Sequence, residues 1–130
     1  MLGNGDPILF ISGGSIDMND WDASSLENLS SNYTVIVFDN RWVWNTTIGS
    51  KSYTHQQLAN NTSGLLHALN IQKGDVLVLP LGSYIAQQLT IMYPDRVDSL
   101  VLVGSSCNGK DHTPKPLELL KLQSEITNNL

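Results

Sequence analysis

Between Gly74 and Leu89 the chain reads Gly-Asp-Val-Leu-Val-Leu-Pro-Leu-Gly-Ser-Tyr-Ile-Ala-Gln-Gln-Leu. A run of strand length stops at Pro80, and Ile85, Ala86, Leu89 and Met92 then recur at helical spacing. Pro94 ends that helix because proline cannot continue it, and a second apolar run, Val97 to Val103, follows. Strand, sharp turn, helix, strand is the unit of a parallel sheet, and the rest of the chain repeats it.

Upstream, Pro7 to Ile11 is an apolar strand that ends at Ser12-Gly13-Gly14-Ser15, a flexible loop. Asp20 is the expected N-cap of a helix over roughly Trp21 to Leu29. Tyr33 to Phe38 is a β-branched and aromatic strand, broken by Asp39-Asn40-Arg41. After Trp42-Val43-Trp44 and a polar loop, Thr54 with Gln57 three residues on makes a capping box. Leu58, Leu65, Leu66 and Leu69 carry that helix as far as Asn70. Gly74 to Leu79 is the third strand, Tyr84 to Tyr93 the next helix, and Val97 to Val103 the fourth strand. Residues 104–130 read as a loop and a final amphipathic helix over Leu117 to Ile126. The expected fold is one three-layer α/β/α domain of 130 residues with a four-stranded parallel sheet.

Composition narrows the function classes. Seven Lys and Arg against twelve Asp and Glu give a net charge of −5, without the basic cluster that nucleic acid requires. Charged residues make up 15%, low against the usual quarter or so, and the neutral surface this leaves favours self-association. Cys107 is the single cysteine, so no internal disulfide forms. The start of the chain has no signal-peptide pattern and no apolar run approaches a membrane span, so a cytoplasmic location and no membrane partner are expected.

Four segments together resemble the N-terminal half of an α/β-hydrolase. They are Pro7 to Ile11 with its glycine-rich lead-in, Ser12-Gly13-Gly14 with Trp21 downstream, Asp39-Asn40-Arg41, and Asp75 to Val103. The resemblance implies the strand order 2-1-3-4 and a ligand site at the carboxyl ends of the strands, where the winding reverses between Ser12–Ser15 and Pro80–Gly82. It also implies a nucleophile elbow of pattern G-x-S-x-G across Val78, Leu79, Pro80, Leu81 and Gly82. Here Pro80 stands where the serine belongs and Val78 where the first glycine belongs. Trp42 and Trp44 replace the glycines that follow the arginine, and Ser12 replaces the histidine of the oxyanion loop. The family's acid and histidine come from later strands.

Proline, locked near −65°, cannot adopt the positive φ that the family's nucleophile takes. Leu79-Pro80-Leu81-Gly82 suits a type I turn instead, with Ser83 as the helix cap. The expectation is therefore no catalytic residue, no cofactor, no metal and no enzyme. Ser12, Gly13, Gly14 and Leu81 remain as the former oxyanion region, and Trp42, Trp44, Val78, Leu79 and Pro80 as interface or pocket candidates. Changes clustered at one site, with the rest family-like, imply an engineered, truncated scaffold that pairs with itself through an open sheet edge or the tryptophan-lined mouth. Two other readings stay open: a weak esterase with a non-family nucleophile, for which Ser83, Ser12, Ser15 or a Cys107–His112 pair offers itself, and a binder of small apolar ligands. His55 and His67 lie twelve residues apart, without the spacing of a metal pair.

Overall fold

A computed structural model describes residues 1–13, 16–41, 43, 46 and 54–105. The chain runs β1 (Asp6–Ile11), α1 (Ala23–Ser30), β2 (Tyr33–Phe38), α2 (His55–Ala68), β3 (Gly74–Val78), α3 (Ser83–Met92) and β4 (Val97–Leu102). The four strands form one parallel sheet in the order β2-β1-β3-β4, as the sequence implies. The expected final helix and the Trp42, Trp44, Cys107 and His112 side chains lie outside the described residues.

Strand alternation sorts the apolar side chains to two faces. Leu9, Ile11, Ile36, Val76 and Val78 pack against Leu58, Ala59 and Leu66 of α2 and Ile85, Ala86 and Leu89 of α3. Ile8, Phe10 and Val35 face the other way, onto Leu26 of α1, with Trp21 and Leu29 beside them. Among the described residues one helix thus covers one face and two cover the other. Met92, expected on the buried face of α3, is exposed, and Tyr93 packs against the core in its place.

β4 departs from the expectation that every strand is buried on both faces. Val101 and Leu102 are 48% and 39% exposed. Val101 lies beside Leu77, on the face where α1 is the only helix among the described residues and sits over β1 and β2, while Leu102 lies beside Val78 on the opposite face. The other edge is less open than expected: Leu2 exchanges two backbone hydrogen bonds with Val35, at 3.0 and 2.8 Å, and so closes part of the β2 edge.

The ends of the helices show local chemistry at work. α2 starts at Thr54, whose hydroxyl accepts from the Gln57 N–H. It stops where Asn70 turns left-handed, at φ 57°, while the Ile71 N–H reaches the Leu66 carbonyl and the Asn70 N–H that of His67. This is a Schellman end, with asparagine in the place glycine more often takes. α1 is capped by Asp22 and not by Asp20: the Asp22 carboxylate accepts from the Ser25 N–H and from the hydroxyls of Ser24 and Ser25. Asp20 instead accepts from the Asp17 N–H within the preceding loop.

The Ser25 hydroxyl, then the Ser24 hydroxyl and the Ser25 amide, hold the Asp22 carboxyl below its ordinary value of 3.8. A depressed folded-state value means that this carboxylate stabilises the fold above about pH 4 and loses that effect as pH falls below it. Asp22→Asn is expected to lower the melting temperature at pH 7, with the gap to the parent shrinking towards pH 2. A gap of constant size in a melting series across that range would sink the assignment.

Candidate active site at the carboxyl ends of the strands

The chain ends of β1, β2, β3 and β4 meet at one edge of the sheet. After β3, Leu79 is extended, at φ −86° and ψ 167°, and Pro80–Gly82 form a 3₁₀ turn closed by the Gly82 N–H to the Leu79 carbonyl at 2.9 Å. That is the turn the proline and glycine spacing predicts. Among the described residues Asn70 is the only non-glycine with positive φ, so no strained elbow backbone occurs at Leu79–Gly82.

Packing explains the residues at this turn. A Cβ on Gly82 would stand 2.4 Å from the Ile11 carbonyl oxygen, so only glycine lets α3 start this close to the end of β1. Gly104, left-handed at φ 62° after β4, lies over the Pro80 ring; a Cβ there would be 3.0 Å from Pro80 Cγ. Pro80 itself is exposed and Leu79 half-buried. Val78, expected at the mouth, is fully buried in the α2–α3 core, because the strand register turns its side chain onto that face. Leu81 contributes its backbone to the turn.

Ser83 is not the cap. It is the first residue of α3, completely buried, and its hydroxyl donates to the Pro80 carbonyl at 2.7 Å. Gly82 occupies the cap position, where no side chain supplies a bond. A hydroxyl so engaged is closed to substrate. Ser83→Ala is therefore expected to leave any ester hydrolysis unchanged within twofold and to cost about 1 kcal/mol of stability, the usual net value of one hydrogen bond. A loss of turnover at full stability, in a p-nitrophenyl ester assay, would return Ser83 to the list of nucleophiles.

Across the switch point, Ser12 is also fully buried, and its hydroxyl accepts from Trp21 Nε1 at 2.9 Å. The Trp21 ring meets Phe10 edge-on, with centroids 4.8 Å apart. The Ser12 carbonyl accepts from Asn40 Nδ2. Asp39 accepts from the Met18 N–H at 2.7 Å. Gly13 is buried beside Ser12, while Gly14 and Ser15 lie outside the described residues. Asn40 is the functional-site residue that sequence reasoning passed over; the only signal was a neutral amide between two charged residues. A cavity of about 430 Å³ opens beside it, floored by Phe38 and Leu65.

The two described histidines lie elsewhere. His55 sits at the start of α2 with its ring 5.4 Å from that of Tyr84, and His67 is in the last turn of the same helix. Among the described residues no three His, Cys, Asp or Glu side chains come together as a metal site, and no helix is long and apolar enough to cross a membrane.

This parallel sheet in the order β2-β1-β3-β4, with a strand–turn–helix at the switch point, is that of an α/β-hydrolase fold. The chain belongs to that family, matching the α/β-hydrolase fold over residues 6–126. It is 32% identical over 104 residues, 79% of its length, to a Mycobacterium tuberculosis protein carrying the name non-heme bromoperoxidase BpoC, and it covers 39% of that protein. The crystal structure of BpoC superposes with a TM-score of 0.74 over 98% of this chain and 46% of that one, at 26% identity. A thermophilic esterase from Thermogutta terrifontis shares the fold with a TM-score of 0.77 at 24% identity, over 98% of this chain and 45% of the esterase. A 2-hydroxymuconate semialdehyde hydrolase of Pseudomonas putida is 40% identical over 53 residues, 41% of this chain and 19% of that protein. The chain thus spans less than half the length of these relatives.

These relatives correct the expectation that the chain is no enzyme. It stands among hydrolases and a bromoperoxidase.

Proposed function

We propose that this chain forms the oxyanion-loop and switch-point portion of a hydrolase acting on small ester-like substrates, with water as the attacking group. In this reading the water oxygen adds to the acyl carbon, and the loop amides after β1 receive the developing oxyanion. The tetrahedral adduct then expels the alcohol, which takes up the proton the water gave up.

The observation that carries the reading is the pairing of family membership over residues 6–126 with the closed state of every described hydroxyl at the switch point. Ser12 is held by Trp21, Ser83 donates to Pro80, and Pro80 has no nucleophile. The rewriting of the elbow rests on Val78, Pro80, Trp42 and Trp44, and an engineered origin has no support beyond those four positions. A panel of p-nitrophenyl esters tests the proposal. Turnover is expected without a pre-steady-state burst and without inactivation by a fluorophosphonate, since no acyl-enzyme on serine forms. Absence of turnover across the panel overturns the hydrolase reading, and stoichiometric fluorophosphonate labelling overturns water as nucleophile.

One observation favours self-pairing as a second property. β4 has no neighbour beyond β3 among the described residues, and Val101, Leu102 and Val103 are exposed there. Asp98, paired with Lys73, is the one charged residue of β4, and an apolar edge strand with so few charges to deter it pairs readily with another chain. Light scattering behind gel filtration should give a dimer or larger at micromolar concentration; a strict monomer ends this reading.

A further inference from the structure

The loop between β1 and α1 is pegged at two points by consecutive residues just beyond β2. Asp39 accepts from the Met18 N–H at 2.7 Å, and Asn40 Nδ2 donates to the Ser12 carbonyl. Asn40 is 4% exposed, so its amide is directed inward at that carbonyl and away from solvent. From the other side Trp21 Nε1 donates to the Ser12 hydroxyl, and its ring is fixed against Phe10. Ser12 is thereby held through both of its oxygens.

The geometry has a direction. A trans peptide is planar, so the Gly13 N–H points opposite to the Ser12 carbonyl, and none of the described peptides is cis. In the sheet, β2 and β3 flank β1 on opposite sides. With its carbonyl drawn to a residue that follows β2, the Ser12–Gly13 peptide turns its N–H towards the β3 side. There the β3–α3 turn is close: a Cβ on Gly82 would lie 3.5 Å from the Ser12 carbonyl carbon.

We propose that Asn40 is a positioning residue, which sets the first peptide of the oxyanion loop so that the loop amides face the switch point; the catalytic part of this inference rests on the hydrolase reading above. Asparagine suits the task by elimination. Aspartate at neutral pH would set oxygen against oxygen, and leucine would leave a buried carbonyl unpaired. Asp39, one residue away, cannot substitute, because its carboxylate serves Met18 and its carbonyl accepts from the Thr46 hydroxyl.

The test compares the purified protein with Asn40→Asp, which keeps size but removes the donor, and with Trp21→Phe, which keeps ring packing but releases the Ser12 hydroxyl. Three measurements are taken: melting temperature, amide exchange of the 12–16 segment, and kcat and KM for p-nitrophenyl acetate. Expected for Asn40→Asp is faster exchange in that segment and a kcat about tenfold lower with KM within twofold, because misplacing a charge-stabilising group acts on the transition state. Trp21→Phe should move the same two readouts by less. If exchange and kinetics both stay at parental values, or if exchange rises while kcat does not move, the positioning role is overturned. Should Asn40→Asp fail to fold, the Trp21→Phe result decides by the same criteria. Faster exchange in a protein whose parent turns over no ester supports the peg on the loop and overturns the hydrolase reading alone.

Discussion

Leu89→Ala is expected to lower stability by about 3 kcal/mol and the melting temperature by roughly 10 °C. Leu89 is completely buried at the middle of α3, among Leu58, Leu66, Val76 and Val78. Its side chain joins two helices to the sheet, so the methyl groups lost come from a site with neighbours on every side. Residues held by regular backbone bonding relax only partly into such a cavity, which adds to the lost transfer free energy. The same helix offers its own control. Ile91, two positions on, is 72% exposed, and Ile91→Ala should change stability by no more than about 0.5 kcal/mol. Chemical denaturation of both variants reads the difference directly. Equal losses at the two positions would mean that α3 does not pack as described.

Gly82→Ala is the second large effect, and it works by crowding. The backbone at Gly82, φ −81° and ψ −11°, is one that alanine adopts freely, so dihedral strain plays no part. The added methyl would stand 2.4 Å from the Ile11 carbonyl oxygen, which is main chain at the end of β1 and cannot rotate away. Either α3 or the end of β1 must shift. Overpacking of this kind costs about 1–3 kcal/mol, and more where neither partner yields. The shift falls beside Ser12, so on the proposed hydrolase function loss of stability should be accompanied by loss of ester turnover. Gly82 is the cap of α3, a position where alanine is less favoured than glycine, so capping adds to the loss. A variant as stable as its parent would show that the close approach of α3 to β1 is wrong.

Most of the scaffold could be read from residue order. The four apolar runs and their alternation with helical spacing led to a parallel sheet, and the resemblance to the α/β-hydrolases implied the strand order that is found. The end of α2 was legible at Asn70, and the start at Thr54, because capping is settled by residues within one turn of each other. The 3₁₀ turn at Pro80–Gly82 was legible for the same reason.

What escaped the sequence depended on distant chain. Asp20 and Asp22 are equally good caps in isolation, and the loop's own hydrogen bond between Asp17 and Asp20 settles the choice. Ser83 looks like a cap until the turn before it brings the Pro80 carbonyl within reach. Val78 looks like lining for a mouth, yet the register against Ile11 turns it into the core. The activity expectation failed for a different reason. It rested on the missing serine, acid and histidine, whereas the relatives that share the fold are hydrolases and a bromoperoxidase.

The sequence by itself determined the alternating strands and helices of an α/β domain, because strand and helix periods and local turn chemistry are properties of neighbours along the chain, and its motifs carried the resemblance to the α/β-hydrolases. Tertiary structure alone decided which polar groups hold the site. Asn40 lies 28 residues from Ser12, and Trp21 lies nine, and only the closing of β2 onto β1 brings the three together. A hydrogen bond between groups so separated leaves no periodic trace, so the peg on the loop between β1 and α1 becomes visible only in the folded chain.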